Sequence, residues 1–246
     1  MILFPGLSEL GFAALFLTTI LAACVQRLSG MGFGTIVAPI AALIAVEYTP
    51  ASILLLGVPI SAAGMGLDLR RDQISEIAPA VLGRLLATIP AVFVVEALAG
   101  GGGIGVFIAL AILAGVALGL LGVSVEKTRT SLFCAGGLSG FLATISSVGA
   151  APMALIYQND AAKAARGGLN AFFFLGLLFA IAGLAAKGLI EPHHVRLALF
   201  LSPAIGVGLL VAWPLAKYVD GGALKPWALG LSSAAALTLL AKSLLG

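Results

Sequence analysis

Several windows of this chain, 97–125 and 167–186 among them, run for 20 residues or more without Asp, Glu, Lys or Arg. About 20 predominantly apolar residues suffice to carry a helix across a bilayer core. Windows of this kind bury themselves in lipid without help from the rest of the fold. Of the 246 residues, 61% are hydrophobic and 9% charged, whereas a soluble domain carries about 25% charged residues. The runs are continuous rather than alternating, which excludes a transmembrane β-barrel. The chain reads as an all-α polytopic membrane protein.

Gly, Pro and charged residues punctuate the runs into ten segments. They lie at about 10–28, 35–46, 50–67, 74–98 and 103–122, then at about 130–142, 150–158, 165–187, 194–218 and 225–245. No positive residue precedes the first segment between Met1 and Ser8, so it is expected to stay in the membrane and not to be cleaved. The net charge of +3 is small and lies mostly in loops, which fits membrane orientation and gives no support for nucleic acid as a partner. Cys24 and Cys134 sit in apolar segments with no CxxC partner and are expected to be buried, inert thiols.

Two interruptions organise the chain. The first is Ser29-Gly30-Met31-Gly32-Phe33-Gly34-Thr35, restarting towards Pro39. The second runs Ser139-Gly140 through Thr144, Ser146, Ser147 and Gly149 to Pro152. Lipid cannot satisfy free backbone polar groups, so broken helices at membrane depth occur where protein or a water-filled cavity surrounds them. Matched breaks in two halves point to a transporter's substrate site. Ala38-Pro39-Ile40 echoes Ala151-Pro152-Met153, and both halves close on Leu-Leu-Gly, at Leu120-Leu121-Gly122 and Leu244-Leu245-Gly246. The chain thus divides into two repeats, 1–124 and 125–246, of about five helical segments each, forming one membrane domain with broken or re-entrant helices at its centre.

Lys and Arg in short loops set the orientation. Arg70, Arg71, Lys127, Arg129, Lys163, Arg166, Lys217 and Lys225 fall on one side, against Lys187, Arg196 and Lys242 on the other. The side with eight is expected to be cytoplasmic. Both termini then face away from the cytoplasm, and the halves are inverted. Segments 35–46 and 150–158 are too short to span upright at 1.5 Å per residue; they either cross or return as half-helices of hairpins, and neither choice changes the orientation.

A helix restarting at Thr35 or after Gly149 offers unpaired N–H groups and a positive dipole end to the gap, the makings of an anion site. Ser29, Thr35, Thr144, Ser146 and Ser147 add hydroxyls, and Gly30, Gly32 and Gly34 permit close backbone approach. Tight helix packing is the competing reading of these glycines. Arg84 lies ten residues beyond Ile74, about 15 Å along a helix and near the bilayer midplane. Its helical neighbours Ala80 and Thr88 offer no carboxylate. An intramembrane Arg is a functional candidate by default, and guanidinium matches oxyanions bidentately; snorkelling or a bond to unwound carbonyls is the alternative. Arg27, beside Gln26, lines the site or is an end charge. Asn170 is expected to bond across helices. No acidic residue falls in mid-segment, Asp68 among others being read as a loop residue, which argues against a cation channel. His193 and His194, after Pro192, are given a surface role. No HExxH or spaced Cys/His set supports a metal or another cofactor. Trp213, Tyr218 and Trp227 are read as interface anchors.

The interruptions, the two-half layout and the length resemble the sulfite exporter TauE/SafE family of membrane permeases. The matching residues are Ser29-Gly30-Met31-Gly32-Phe33-Gly34 with Pro39, and Gly136-Gly137-Leu138-Ser139-Gly140 with Gly149 and Pro152. Ser146-Ser147-Val148 stands where more glycine is usual. The resemblance implies export of a small sulfur-containing anion, sulfite or an organosulfonate, across the bacterial cytoplasmic membrane. The substrate would sit between the breaks, and alternating access would rock one repeat against the other. Proton coupling and homo-oligomerisation are both compatible with this class. A passive anion channel would share the site. Gly137-Leu138-Ser139-Gly140 also matches the GxSG of intramembrane serine proteases, but a serine nucleophile needs a base within reach, and the only histidines stand at a predicted helix edge without the histidine-bearing glycine helix motif of those enzymes; no enzyme is expected.

Overall fold

A computed structural model describes residue 4 and residues 6–99, 104–120, 125–215 and 225–245. Among these residues there is no strand, and ten α-helices follow one another. They are α1 Glu9–Ser29, α2 Phe33–Ile44, α3 Ala51–Asp68, α4 Arg71–Ala99, α5 Ile104–Leu120, α6 Arg129–Ser146, α7 Ala150–Tyr157, α8 Ala162–Ala186, α9 Pro192–Leu215 and α10 Lys225–Leu245. The order and number match the ten apolar segments. The sixth runs four residues further than 142; within that extra turn Thr144 and Ser146 satisfy their hydroxyls on the carbonyls of Gly140 and Leu142, at 2.8 Å each, so neither needs a partner outside the helix. Among the described residues, α1, α3, α4, α9 and the Lys163–Ala186 part of α8 are long and apolar enough to cross a membrane. Large apolar side chains such as Leu17, Leu86, Phe93 and Leu210 point outward from them, as a lipid-facing surface requires.

Side-chain contacts sort the helix ends onto two faces. On one, Gly11 of α1 packs on Ile44 of α2, and Glu47 O accepts from His194 Nε2 at 2.8 Å. Lys187 pairs with Glu96 at 2.9 Å, and Gly105 packs on Ser243 on the same face. On the other, Gln73 of α4 donates to Ala164 O of α8 at 2.6 Å, Lys127 bridges Glu76 and Asp160, and Val125 N–H donates to Leu155 O at 3.3 Å. The α1–α2 pair therefore starts and ends on the first face, while α6–α7 starts and ends on the second. The two short helices lead the chain back to the face from which α1 and α6 set out.

Helix pairing is reciprocal. α4 packs along α6 and α9 along α1; α7 meets α5 and α2 meets α10; α3 and α8 face each other. A Cβ on Gly83 of α4 would lie 2.1 Å from Phe133 O and 3.0 Å from Gly137 N, while one on Gly208 of α9 would lie 2.6 Å from Ile20 O and 3.3 Å from Cys24 N. In both places a glycine of one half admits the backbone of the hairpin helix from the other.

Three expectations change. Cys24 is partly buried and donates to Gly208 O at 3.1 Å, but Cys134 is exposed, because α6 turns Gly136 and Gly140 towards α4 and position 134 falls on the opposite side. His194 is buried, not on the surface: Nδ1 accepts from Glu191 N–H at 2.9 Å while Nε2 donates to Glu47 O. Nδ1 thereby fixes the first turn of α9, and Nε2 ties it to the turn before α3. Asp68, read as a loop residue, ends α3 and is paired. Trp213 is exposed on α9; Tyr218 and the side chain of Trp227 lie outside the described residues.

Candidate functional site

The first break is built by two residues in the left-handed region. Gly30 (φ 82°) ends α1 with its N–H on Gln26 O, and Gly32 (φ 107°) starts α2. Such φ values suit glycine, which has no Cβ to clash. In the second break the corresponding C-cap is Ser147 (φ 62°), and Gly149 starts α7. Serine here does what glycine does in the first half, and its hydroxyl donates to Pro50 O at 3.1 Å. The two breaks touch. A Cβ on Gly34 would stand 1.9 Å from Ser147 O, so only a glycine lets these backbones meet.

Neither α2 nor α7 has a side-chain N-cap of its own. Gln26 fills the role for α2 from a distance, its Oε1 accepting from Phe33 N–H at 3.1 Å. The remaining first-turn N–H groups have no intrahelical partner, and both positive helix ends converge on one cavity. Gly32, Phe33, Gly34 and Thr35 line it from the first break, Ser147, Gly149 and Ala150 from the second. Gln26, Ile53, Leu54, Gly57, Ser61, Arg84, Ala143, Phe173 and Leu177 complete the wall. Ser61, Arg84 and Phe173 come from the middle turns of α3, α4 and α8, so the cavity sits at the centre of the helix assembly. The cavity volume is about 40 Å³, enough to admit water or a small solute.

Arg84 is the charged residue of this wall. It is 1% exposed, and among the described residues it pairs with no carboxylate. Nη1 donates to Ser139 Oγ at 2.9 Å, and Ser139 in turn donates to Gly149 O at 2.5 Å. The guanidinium carbon lies 4.9 Å from the Phe172 ring centre and 5.5 Å from that of Phe173, within cation–π range. Nε has no hydrogen-bond partner. Room for the group comes from Gly176, where a Cβ would lie 1.5 Å from Nε. The result is a buried cation held in place from three sides, with donor capacity to spare.

Of the residues singled out in the sequence, Gly32, Gly34, Thr35, Arg84, Ser147 and Gly149 line the cavity. Ser139 and Gly140 stand behind Arg84, the latter packed on its backbone. Thr144 and Ser146 spend their hydroxyls on their own helix. Ser29 Oγ lies 2.8 Å from Val25 O and 2.6 Å from Met31 O, shaping the turn. Pro39 and Pro152 are buried inside the short helices, and Gly30 packs on Arg166. Arg27 faces away from the cavity and pairs with Asp68. Asn170 makes its interhelical bond, accepting from Gln26 Nε2 at 3.0 Å. Ser61, Phe172, Phe173 and Gly176 carried no signal in the sequence, because apolar and small residues at helical spacing look alike whether they face a cavity or a neighbour.

The family model described as Sulfite exporter TauE/SafE matches residues 15–239. No curated protein and no solved structure matches the chain.

Proposed function

Since the chain belongs to the sulfite exporter TauE/SafE family, we propose that it is a secondary transporter that exports a small sulfur oxyanion by alternating access. The observation that carries this is Arg84, a buried guanidinium without a counter-ion among the described residues, placed beside two helix N-termini at the centre of the assembly. A charge left alone there is costly, and an anion would complete it with charge-assisted hydrogen bonds. The lining of backbone N–H groups, hydroxyls and one guanidinium suits a small oxyanion such as sulfite or the sulfonate end of an organosulfonate. Gly34, Thr35 and Gly149 would approach the oxyanion through backbone N–H groups, and Ser147 would stand beside it.

The reciprocal contacts of α4 with α6 and α9 with α1 support reading 1–124 and 125–246 as inverted repeats. Each repeat would hold a hairpin followed by three crossings, so a rocking motion would open the cavity to one face and then the other. The face carrying Arg70, Arg71 and Lys127 would be cytoplasmic in the bacterial inner membrane, with both termini outside. A hydrolytic role for Ser139 has little support: its hydroxyl is committed to Gly149 O and Arg84, while His194 is bonded to Glu47 at the end of the assembly.

The test is calorimetric titration of sulfite into purified Arg84→Ala. Lost binding in a protein that keeps its helical content is expected. Affinity equal to that of the parent would remove Arg84 from the site and the reading with it.

A further inference from the structure

We propose that Arg27, Asp68 and Arg166 form a second oxyanion site outside the cavity, in which the Asp68 carboxylate holds the place of the passing anion. The proposal deepens the reading of the chain as an anion carrier and rests on it.

The three residues come from three helices: Arg27 from the last turn of α1, Asp68 from the end of α3 and Arg166 from the first turns of α8. Arg27 Nη1 is bonded to Asp68 Oδ2. Arg166 Nε lies 3.1 Å from the same oxygen, and its Nη2 donates to Oδ1 at 3.4 Å. All are largely buried, with side chains 9%, 15% and 7% exposed in the order Arg27, Asp68, Arg166. Two guanidiniums therefore share one carboxylate and leave a surplus positive charge out of water. Arg27 Nε has no hydrogen-bond partner, so donors outnumber acceptors here.

The cluster stands one layer from the cavity. Gln26, next to Arg27, lines the cavity and donates to Asn170 Oδ1 at 3.0 Å, and Asn170 Nδ2 donates to Arg166 O at 2.8 Å. It also lies at the face where Gln73 meets Ala164, the face with most Lys and Arg. An anion moving between that face and Arg84 meets this surplus charge on its way. Carboxylate and sulfite both present paired oxygens on one centre, the geometry a guanidinium fork accepts. With Asp68 in the site, α1, α3 and α8 are tied together; with an oxyanion in its place the tie passes to the ligand, which can leave. Exchange of one anion for another would open this end of the path only when cargo is present.

The experiment uses the full chain in an Arg84→Ala background, where the cavity has lost its cation. Sulfite is titrated calorimetrically into Arg84→Ala, Arg84→Ala/Asp68→Asn, and the same double variant with Arg27→Gln. Vacating the site should give the double variant a measurable sulfite affinity at least about tenfold above the detection limit at which Arg84→Ala shows none, as expected of a bond to a charged group, and Arg27→Gln should abolish the gain. Binding in the double variant no tighter than in Arg84→Ala, or a gain that survives Arg27→Gln, would overturn the proposal. Should Asp68→Asn fail to fold, recovery of a folding transition on adding sulfate but not bromide is the expected result, and no recovery with sulfate, or equal recovery with bromide, counts against it. If Arg84→Ala alone keeps the parent's affinity, the cavity reading fails, while the second site is still decided by the Asp68 comparison.

Discussion

Arg84 and Ser139 join the middle of α4 to α6 through one hydrogen bond of 2.9 Å, and the serine carries the connection on to Gly149 at the start of α7. The hydroxyl is used twice, accepting from the guanidinium and donating to a carbonyl. Charge position and break geometry are thus coupled by a single side chain.

Ser139→Ala removes both bonds and leaves a guanidinium donor and a carbonyl unsatisfied in a buried place. A loss of about 1–3 kcal/mol of stability is expected, with weaker sulfite binding in titration and unlabelled protein in a fluorophosphonate assay of the parent.

Gly176→Ala places a methyl where Arg84 Nε now lies, 1.5 Å from the built Cβ position. The guanidinium must move. Transport in proteoliposomes should fall severely, with overpacking costing about 1–3 kcal/mol. Combining it with Arg84→Ala should restore the melting temperature but not transport, which separates crowding from the loss of the cation.

Gly34→Ala drives a Cβ into Ser147 O, 1.9 Å away, and separates the two breaks. It is expected to be among the most destabilising single changes in the chain by thermal unfolding. Gly66→Ala, with nothing within 4 Å, should be neutral or stabilising by up to about 1 kcal/mol, as helix interiors prefer alanine.

Orientation is open to accessibility labelling. With Cys24 and Cys134 replaced by serine, Glu191→Cys should react with an impermeant maleimide in intact cells, and Glu126→Cys only after permeabilisation. The reverse pattern would invert the assignment of faces.

The solvent of this protein, the ten α-helices among its described residues and its two breaks were legible in the sequence, because burial in lipid is decided by composition over about 20 residues and a broken helix by local glycine, serine and proline. Arg84 stood out for the same reason: a charge in an apolar run has no local explanation. Asp68 and Arg166 did not stand out, since each sits at the end of a run where a charge is ordinary, and only packing of α1, α3 and α8 brings them to Arg27. Nor did Gly176 or Phe172, whose roles depend on which face of α8 meets α4. Local free energies settle where helices begin and stop; which residues share a cavity is settled by contacts between positions far apart in the chain, and a single sequence carries no local trace of those.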